Sequence, residues 1–149
     1  MDHNKYMKLA IEEAKKAAAR GEVPVGAVAV LDDQVVATGY NQKELKQDPT
    51  AHAEILAITG ASKVLNTWRL SGVTLYVTLE PCTMCAGAIV QSRLDRVVFG
   101  ASDIKGGACG TCFNLVDSSL LNHRVEVVAG IEEDQCSQLL KDFFRGLRN

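Results

Sequence analysis

Cys82 and Cys85 stand three residues apart in "EPCTMC", a spacing that puts two thiols on one face of a helical turn and suits a metal ion. Two thiols do not complete a zinc site, which takes four tetrahedral ligands, or three with one position left for water. The sequence offers two sets of partners. Cys109 and Cys112, in "ACGTC", repeat the spacing and would close a four-cysteine structural site. His52, in "PTAHAE", would supply a third ligand and leave the fourth position open, with Glu54 two residues further on.

The two assemblies imply different chemistry. Pro81 stands where a helix starts, and the unpaired N–H groups of a first helical turn stabilise thiolate charge on Cys82 and Cys85. Cys109 and Cys112 fall in a glycine-rich stretch, where a ribbon-like knuckle is possible, but the four-cysteine assembly leaves "AHAE" without a role. In the open assembly, zinc carrying two thiolates is formally neutral and lowers the pKa of a bound water enough to present hydroxide near neutral pH. The H-x-E and P-C-x-x-C segments resemble the signature of zinc nucleobase deaminases, and that resemblance implies attack of this nucleophile on the amine-bearing ring carbon of a base. A carboxylate near the metal but not bound to it would take the water proton, protonate a ring nitrogen and then the departing ammonia; Glu54 is the candidate. Two residues apart in mid-helix, His52 and Glu54 would diverge. At a helix entrance, where the first residues are not yet helical, they converge on one pocket.

The elements that must position these groups are legible from periodicity. Met7, Ile11, Ala14 and Ala18 predict a helix over residues 3–19, ended by Gly21. "VGAVAVL" and "QVVATGY", joined by two aspartates, predict a hairpin. A helix follows over 51–65, then the buried strand "TLYVTL" and a helix from Pro81 to about Ser92. "RVVFGA" and "RVEVVAG" predict two further strands, separated by the glycine-rich loop "SDIKGGACGTCFN", and residues 132–147 close the chain as an amphipathic helix. Helices interleave with strands throughout, which predicts a layered α/β domain.

The chain's 149 residues suffice for one domain with a sizeable core, without linkers or repeats. Five cysteines, an odd number, favour thiols or metal ligands over a disulfide framework. The N-terminus has no signal-peptide character and no apolar run could span a bilayer, so the expectation is a cytoplasmic protein with no membrane partner. A net charge of −2 carries no hint of nucleic acid by itself.

H-x-E joined to P-C-x-x-C is a signature of zinc nucleobase deaminases. The chain resembles the bacterial tRNA adenosine deaminases over nearly its whole length, in "GEVPVGAV", "NQKELKQDPTAHAE", "TLEPCTMCAGAIVQSRL", "LNHRVEV" and "LLKDFFRGLR". The zinc motif alone is shared with cytidine, deoxycytidylate and guanine deaminases; "SRL" and "DFFR" are specific to the tRNA-acting branch, and a histidine first ligand differs from the cysteine of free cytidine deaminases.

That resemblance implies a three-layer α/β/α cytidine-deaminase-like fold around a mixed five-stranded sheet, one Zn²⁺ per subunit on His52, Cys82 and Cys85, and a homodimer. It implies hydrolysis of adenosine to inosine at the wobble position of a tRNA anticodon stem-loop, with the target base flipped into the pocket. By position, Asn41 should hydrogen-bond the base or its ribose, and Pro24, Val25 and Gly26 should line the pocket, with backbone around Ala53 and Pro81 holding the base and leaving ammonia. Asp103 and Lys105 should touch neighbouring nucleotides, and Phe143, Phe144 and Arg145 should frame the anticodon loop.

Plainer roles are open to several of these. Asn41 could cap a turn, Val25 could be strand core, and Phe143 and Phe144, adjacent on a helix, cannot both face the RNA. Cys112 occupies a position where the family usually carries an apolar residue, which makes the second cysteine pair incidental, and Cys136 reads as a small buried residue. Ending at Asn149 without the basic tail of many relatives, the chain is expected to make weaker phosphate contacts.

Overall fold

The computed structural model describes residues 1–148. Five strands form one mixed sheet: β1 (Gly26–Leu31), β2 (Gln34–Tyr40), β3 (Thr74–Leu79), β4 (Arg96–Ala101) and β5 (Glu126–Ala129), in the order β2-β1-β3-β4-β5. β1 pairs antiparallel with β2 and β3, whereas β3, β4 and β5 run parallel. The hairpin turns on Asp32 and Asp33, both left-handed at φ 51 and 58, the handedness that matches strand twist and that aspartate tolerates.

Strand alternation decides the layers. Ala27, Ala29, Leu75, Val77, Val97 and Phe99 pack against α3 (Ala53–Leu65) and α4 (Thr83–Gln91). Their sequence neighbours Val28, Val30, Tyr76 and Val98 face the opposite way, onto Tyr6, Met7, Ala10 and Ile11 of α1 (His3–Ala19) and Cys136 of α5 (Glu133–Arg148). The predicted three-layer α/β/α arrangement with five strands is therefore what forms.

Two boundaries differ from expectation in ways that matter for the site. The helix expected from Ala51 begins at Ala53, with His52 as its extended N-cap at φ −75, ψ 153. The helix expected from Pro81 begins at Thr83, with Cys82 as its extended N-cap. Both candidate zinc-binding segments thus sit at helix entrances. The short helix α2 (Lys43–Lys46) was not predicted; four residues are too few to show a helical period. Between β4 and β5 the chain runs from 102 to 125 with no helix or strand, tied across itself by a bridge between Cys109 and Asn114. Among the described residues, no helix is long and apolar enough to cross a membrane.

Candidate active site

β3 ends at Leu79, and the next residues turn immediately into α4, so Cys82 and Cys85 are held by a buried strand on one side and a buried helix on the other. α3 brings its entrance to the same point. His52 Nδ1 lies 3.7 Å from Cys82 Sγ and 3.5 Å from Cys85 Sγ. A tetrahedral ion bound to thiolate and imidazole at the usual zinc distances separates those ligand atoms by about 3.5–3.6 Å, so the cradle fits zinc as it stands. These three residues form the one such cluster of metal-ligating side chains among the described residues. Cys109 and Cys112 take no part: Cys109 is buried in the 102–125 loop, and the exposed Cys112 points its thiol at the Ile104 carbonyl, 3.3 Å away. The four-cysteine assembly does not form.

Electrostatics divide the charged groups by task. The Cys82 thiol is pulled down to about 3 by hydrogen bonds from the Cys85 thiol and His52 and from the Cys85 backbone N–H, so Cys82 carries the thiolate. Cys85 is pushed up, because its thiol donates to that thiolate and because it is buried. His52 is raised by its hydrogen bond with Cys82. Glu54, in the first turn of α3 and only 4% exposed, is pushed up to about 7 by burial. It is therefore poised to take and give a proton near neutral pH. Glu80 shows the opposite behaviour. Burial raises it, but hydrogen bonds from Thr111, Asp103 and Cys109 outweigh burial and hold it below the usual carboxylate value. Of two buried carboxylates beside the cradle, one exchanges protons and the other stays ionised.

The site opens into a cavity of about 200 Å³ lined by Val23, Val25, Asn41, Lys43, His52, Ala53, Glu54, Leu79, Glu80, Cys82 and Asp103. Of the residues expected to hold substrate, Val25, Asn41, Ala53 and Asp103 are brought to it. Asn41 also performs the plainer role: Nδ2 donates to the Val23 carbonyl at 3.2 Å and Oδ1 accepts from the Lys43 N–H at 3.1 Å. One amide hydrogen and one lone pair remain for a ligand. Pro24 is buried and lies outside the lining. Gly26 faces the other layer: a Cβ there would run into the backbone of α1 at Ala10 and Ala14, so it serves close packing of helix on sheet.

Lys105, Phe144 and Arg145 line a second, shallower recess of about 510 Å³ with Leu140 and Lys141. Phe144 is 44% exposed while Phe143, in edge contact with it at 5.4 Å, is half-buried. The helix thus turns one ring outward and one inward. Cys136 is buried against the sheet, the plain role expected for it.

Three lining or supporting residues escaped sequence reasoning. Lys43 belongs to the unpredicted α2. Glu22 is buried and accepts from the Glu44 and Leu45 N–H groups at 3.1 and 2.7 Å, capping α2 from a distance in sequence. Glu80 is buried and accepts from Asp103, Cys109 and Thr111 of the 102–125 loop. The available signal was a lone acid abutting an apolar strand, in "GEVPVGAV" and in "TLYVTLE". An acid at such a junction has to find donors.

Comparison with known proteins agrees with the geometry. The family model of MafB19-like deaminases matches residues 1–148. A tRNA-specific adenosine deaminase of Bacillus subtilis is 56% identical over 143 residues, covering 96% of this chain and 89% of that protein. One from Haemophilus influenzae is 51% identical over 145 residues, covering 97% and 84%. A structure solved in a study of A-to-I editing by tRNA:A34 deaminases superposes with a TM-score of 0.88 at 44% identity, over 91% of this chain and 99% of that one. A guanine deaminase structure from Bacillus subtilis reaches a TM-score of 0.67 at 38% identity, over 74% and 71%. With a deaminase model spanning residues 1–148 and relatives more than half identical over nearly the full length, the chain belongs to the tRNA-specific adenosine deaminase family.

Proposed function

We propose that the protein hydrolyses adenosine to inosine at the wobble position of a tRNA anticodon, as a single domain over residues 1–149, in a cytoplasmic homodimer with one zinc per subunit. The observation that carries this reading is the meeting of His52, Cys82, Cys85 and Glu54 at one small cavity. Its volume of about 200 Å³ lies below the roughly 300–1,000 Å³ of sites that enclose whole drug-sized ligands. A base fits, and its sugar and neighbours stay outside, as flipping from an RNA loop requires.

The residues divide the chemistry as follows. When bound, zinc supplies the Lewis acidity that makes water a nucleophile at neutral pH. Glu54 takes a proton from the attacking water and hands it to the ring nitrogen beside the reacting carbon. It then takes the second proton, from the hydroxyl now on that carbon, and gives it to the amine, so that the carbon–nitrogen bond breaks, ammonia leaves and the carbon keeps the oxygen as a carbonyl. Asn41, already fixed by Val23 and Lys43, offers its free amide positions to the base or ribose. Val25 and Leu79 provide apolar surface and limit water. The recess bearing Lys105, Lys141, Phe144 and Arg145 supports contact with anticodon nucleotides, since cations and an exposed ring suit phosphate and unstacked bases.

Incubation with a tRNA anticodon stem-loop carrying adenosine at the wobble position, beside free guanine and cytidine, tests the reading. Inosine and ammonia should form from the RNA alone; turnover confined to the free compounds would refute it. Sedimentation of the purified protein at the mass of two chains checks the dimer.

A further inference from the structure

Glu80 is the last residue before the Pro-Cys-x-x-Cys motif, and no step above uses it. It is 2% exposed and has no lysine or arginine partner among the described residues. An ionised carboxylate buried without a cation is costly unless hydrogen bonds surround it. Glu80 has four. Oε1 accepts from the Asp103 N–H at 3.0 Å and from the Thr111 hydroxyl. Oε2 accepts from the N–H groups of Cys109 and Thr111, each at 3.1 Å.

All four donors belong to the segment that has no regular secondary structure of its own. The segment also bonds to itself, as where the Gly107 carbonyl accepts from the Cys112 and Phe113 N–H groups at 2.9 and 3.1 Å, but such bonds fix its own shape and not its place against the zinc-binding segment. Its remaining ties to the zinc-binding segment run the same way: the Ala108 N–H donates to the Pro81 carbonyl at 2.9 Å. Gly107 passes so close that any Cβ there would collide with the Glu80 carboxylate. Residues 103–111 of the loop are wrapped on this side chain.

Two nearby residues at the start of the wrapped segment face different parts of the RNA-binding surface. Asp103, whose backbone N–H is bound to Glu80, lines the base cavity. Lys105 follows two residues later, its N–H donated to the Asp103 carboxylate at 3.0 Å, and lines the recess with Phe144 and Arg145. Moving the segment would move both.

We propose that Glu80 is a positioning residue for the RNA: its buried carboxylate sets the loop that presents Asp103 and Lys105 to the nucleotides flanking the target base. The inference rests on the reading of the cavity as the site of a tRNA base. It predicts a particular kinetic signature. Loop placement governs how the flanking nucleotides are held, whereas His52, Glu54, Cys82 and Cys85 stand at the entrances and first turns of α3 and α4, which the core anchors.

The decisive variant is Glu80→Gln, which keeps the shape but replaces one acceptor oxygen by an amide NH2 that faces backbone donors. Loss of one or two hydrogen bonds to a charged group should raise KM for the anticodon stem-loop by about tenfold or more. At saturating RNA, kcat should stay within about threefold, and zinc content should stay at the wild-type level. Amide exchange at Asp103, Cys109 and Thr111, measured without RNA, should accelerate by about tenfold or more. Unchanged exchange with unchanged KM overturns the proposal. So does a fall in zinc content and kcat at constant KM, because Glu80 would then be supporting the metal site. If Glu80→Gln does not fold, Thr111→Val removes one bond at an exposed loop position. It should raise KM about threefold, and wild-type behaviour in both readouts overturns the proposal. Failure of the wild-type protein to convert the stem-loop refutes the functional reading instead, and is seen before any variant is compared.

Discussion

Glu54→Gln preserves the size of a buried side chain while removing its exchangeable charge, and it should move activity and stability in opposite directions. In the metal-free protein burial lifts the Glu54 pKa from the ordinary 4.5 to about 7, so the folded state favours the protonated form. The sign follows from linkage. Below pH 4.5 the carboxyl is neutral in both folded and unfolded chains and carries no penalty. As pH rises from 4.5 to 7 the unfolded chain loses the proton more readily, and stability falls. Above pH 7 the penalty is complete, at about 1.4 kcal/mol per tenfold in proton affinity, or about 3 kcal/mol in total.

Glutamine carries none of this, so zinc-stripped Glu54→Gln should be about 3 kcal/mol more stable than zinc-stripped wild type at pH 8, but only about 1 kcal/mol more stable at pH 5. For a domain of this size the pH 8 difference is a rise in Tm on the order of 10 °C. Urea denaturation of both proteins at the two pH values measures it. The zinc-loaded variant should meanwhile lose about a thousandfold or more in kcat on the RNA stem-loop, because the group that carries protons is gone, and should keep its zinc. Equal stabilities at pH 8 would show that the cavity does not penalise the charge. An equal gain at both pH values would assign the effect to packing. Retention of kcat within tenfold would remove Glu54 from proton transfer.

Zinc removal by a chelator should abolish deamination and lower Tm while leaving far-UV circular dichroism largely intact, because α3 and α4 are anchored in the core; zinc should restore turnover. Cys109→Ala should keep zinc stoichiometry and kcat, and a loss of zinc measured by atomic absorption would return that thiol to the metal site. Phe144→Ala should weaken stem-loop binding by about 1–3 kcal/mol in a filter-binding titration with little change in Tm, whereas Phe143→Ala should chiefly lower Tm. Gly26→Ala should cost about 1–3 kcal/mol or more in denaturant unfolding through its collision with α1, and zinc content of the folded fraction should not change.

Much of the molecule was legible because its signals are local. The apolar runs in "GAVAVL" and "TLYVTL" marked strands, and both lie in the sheet with side chains packed on its two faces. The zinc ligands and Glu54 were legible because their chemistry constrains both residue type and spacing, and because helix entrances are where such groups converge. Other assignments could not be made from spacing. Cys109 and Cys112 repeat the spacing of Cys82 and Cys85, and only the course of the loop turned one inward and the other to solvent. The family resemblance placed Gly26 in the pocket lining, but its missing side chain serves the approach of α1 on the opposite face. Glu22 and Glu80 carry no periodic signal, and their partners lie more than twenty residues away in sequence. By itself, then, the sequence determined which residues can bind zinc and move a proton, and which segments form the buried strands. Only the tertiary structure decided which donors surround each buried charge, since a hydrogen bond depends on where two distant segments meet, and that is set by how the layers pack.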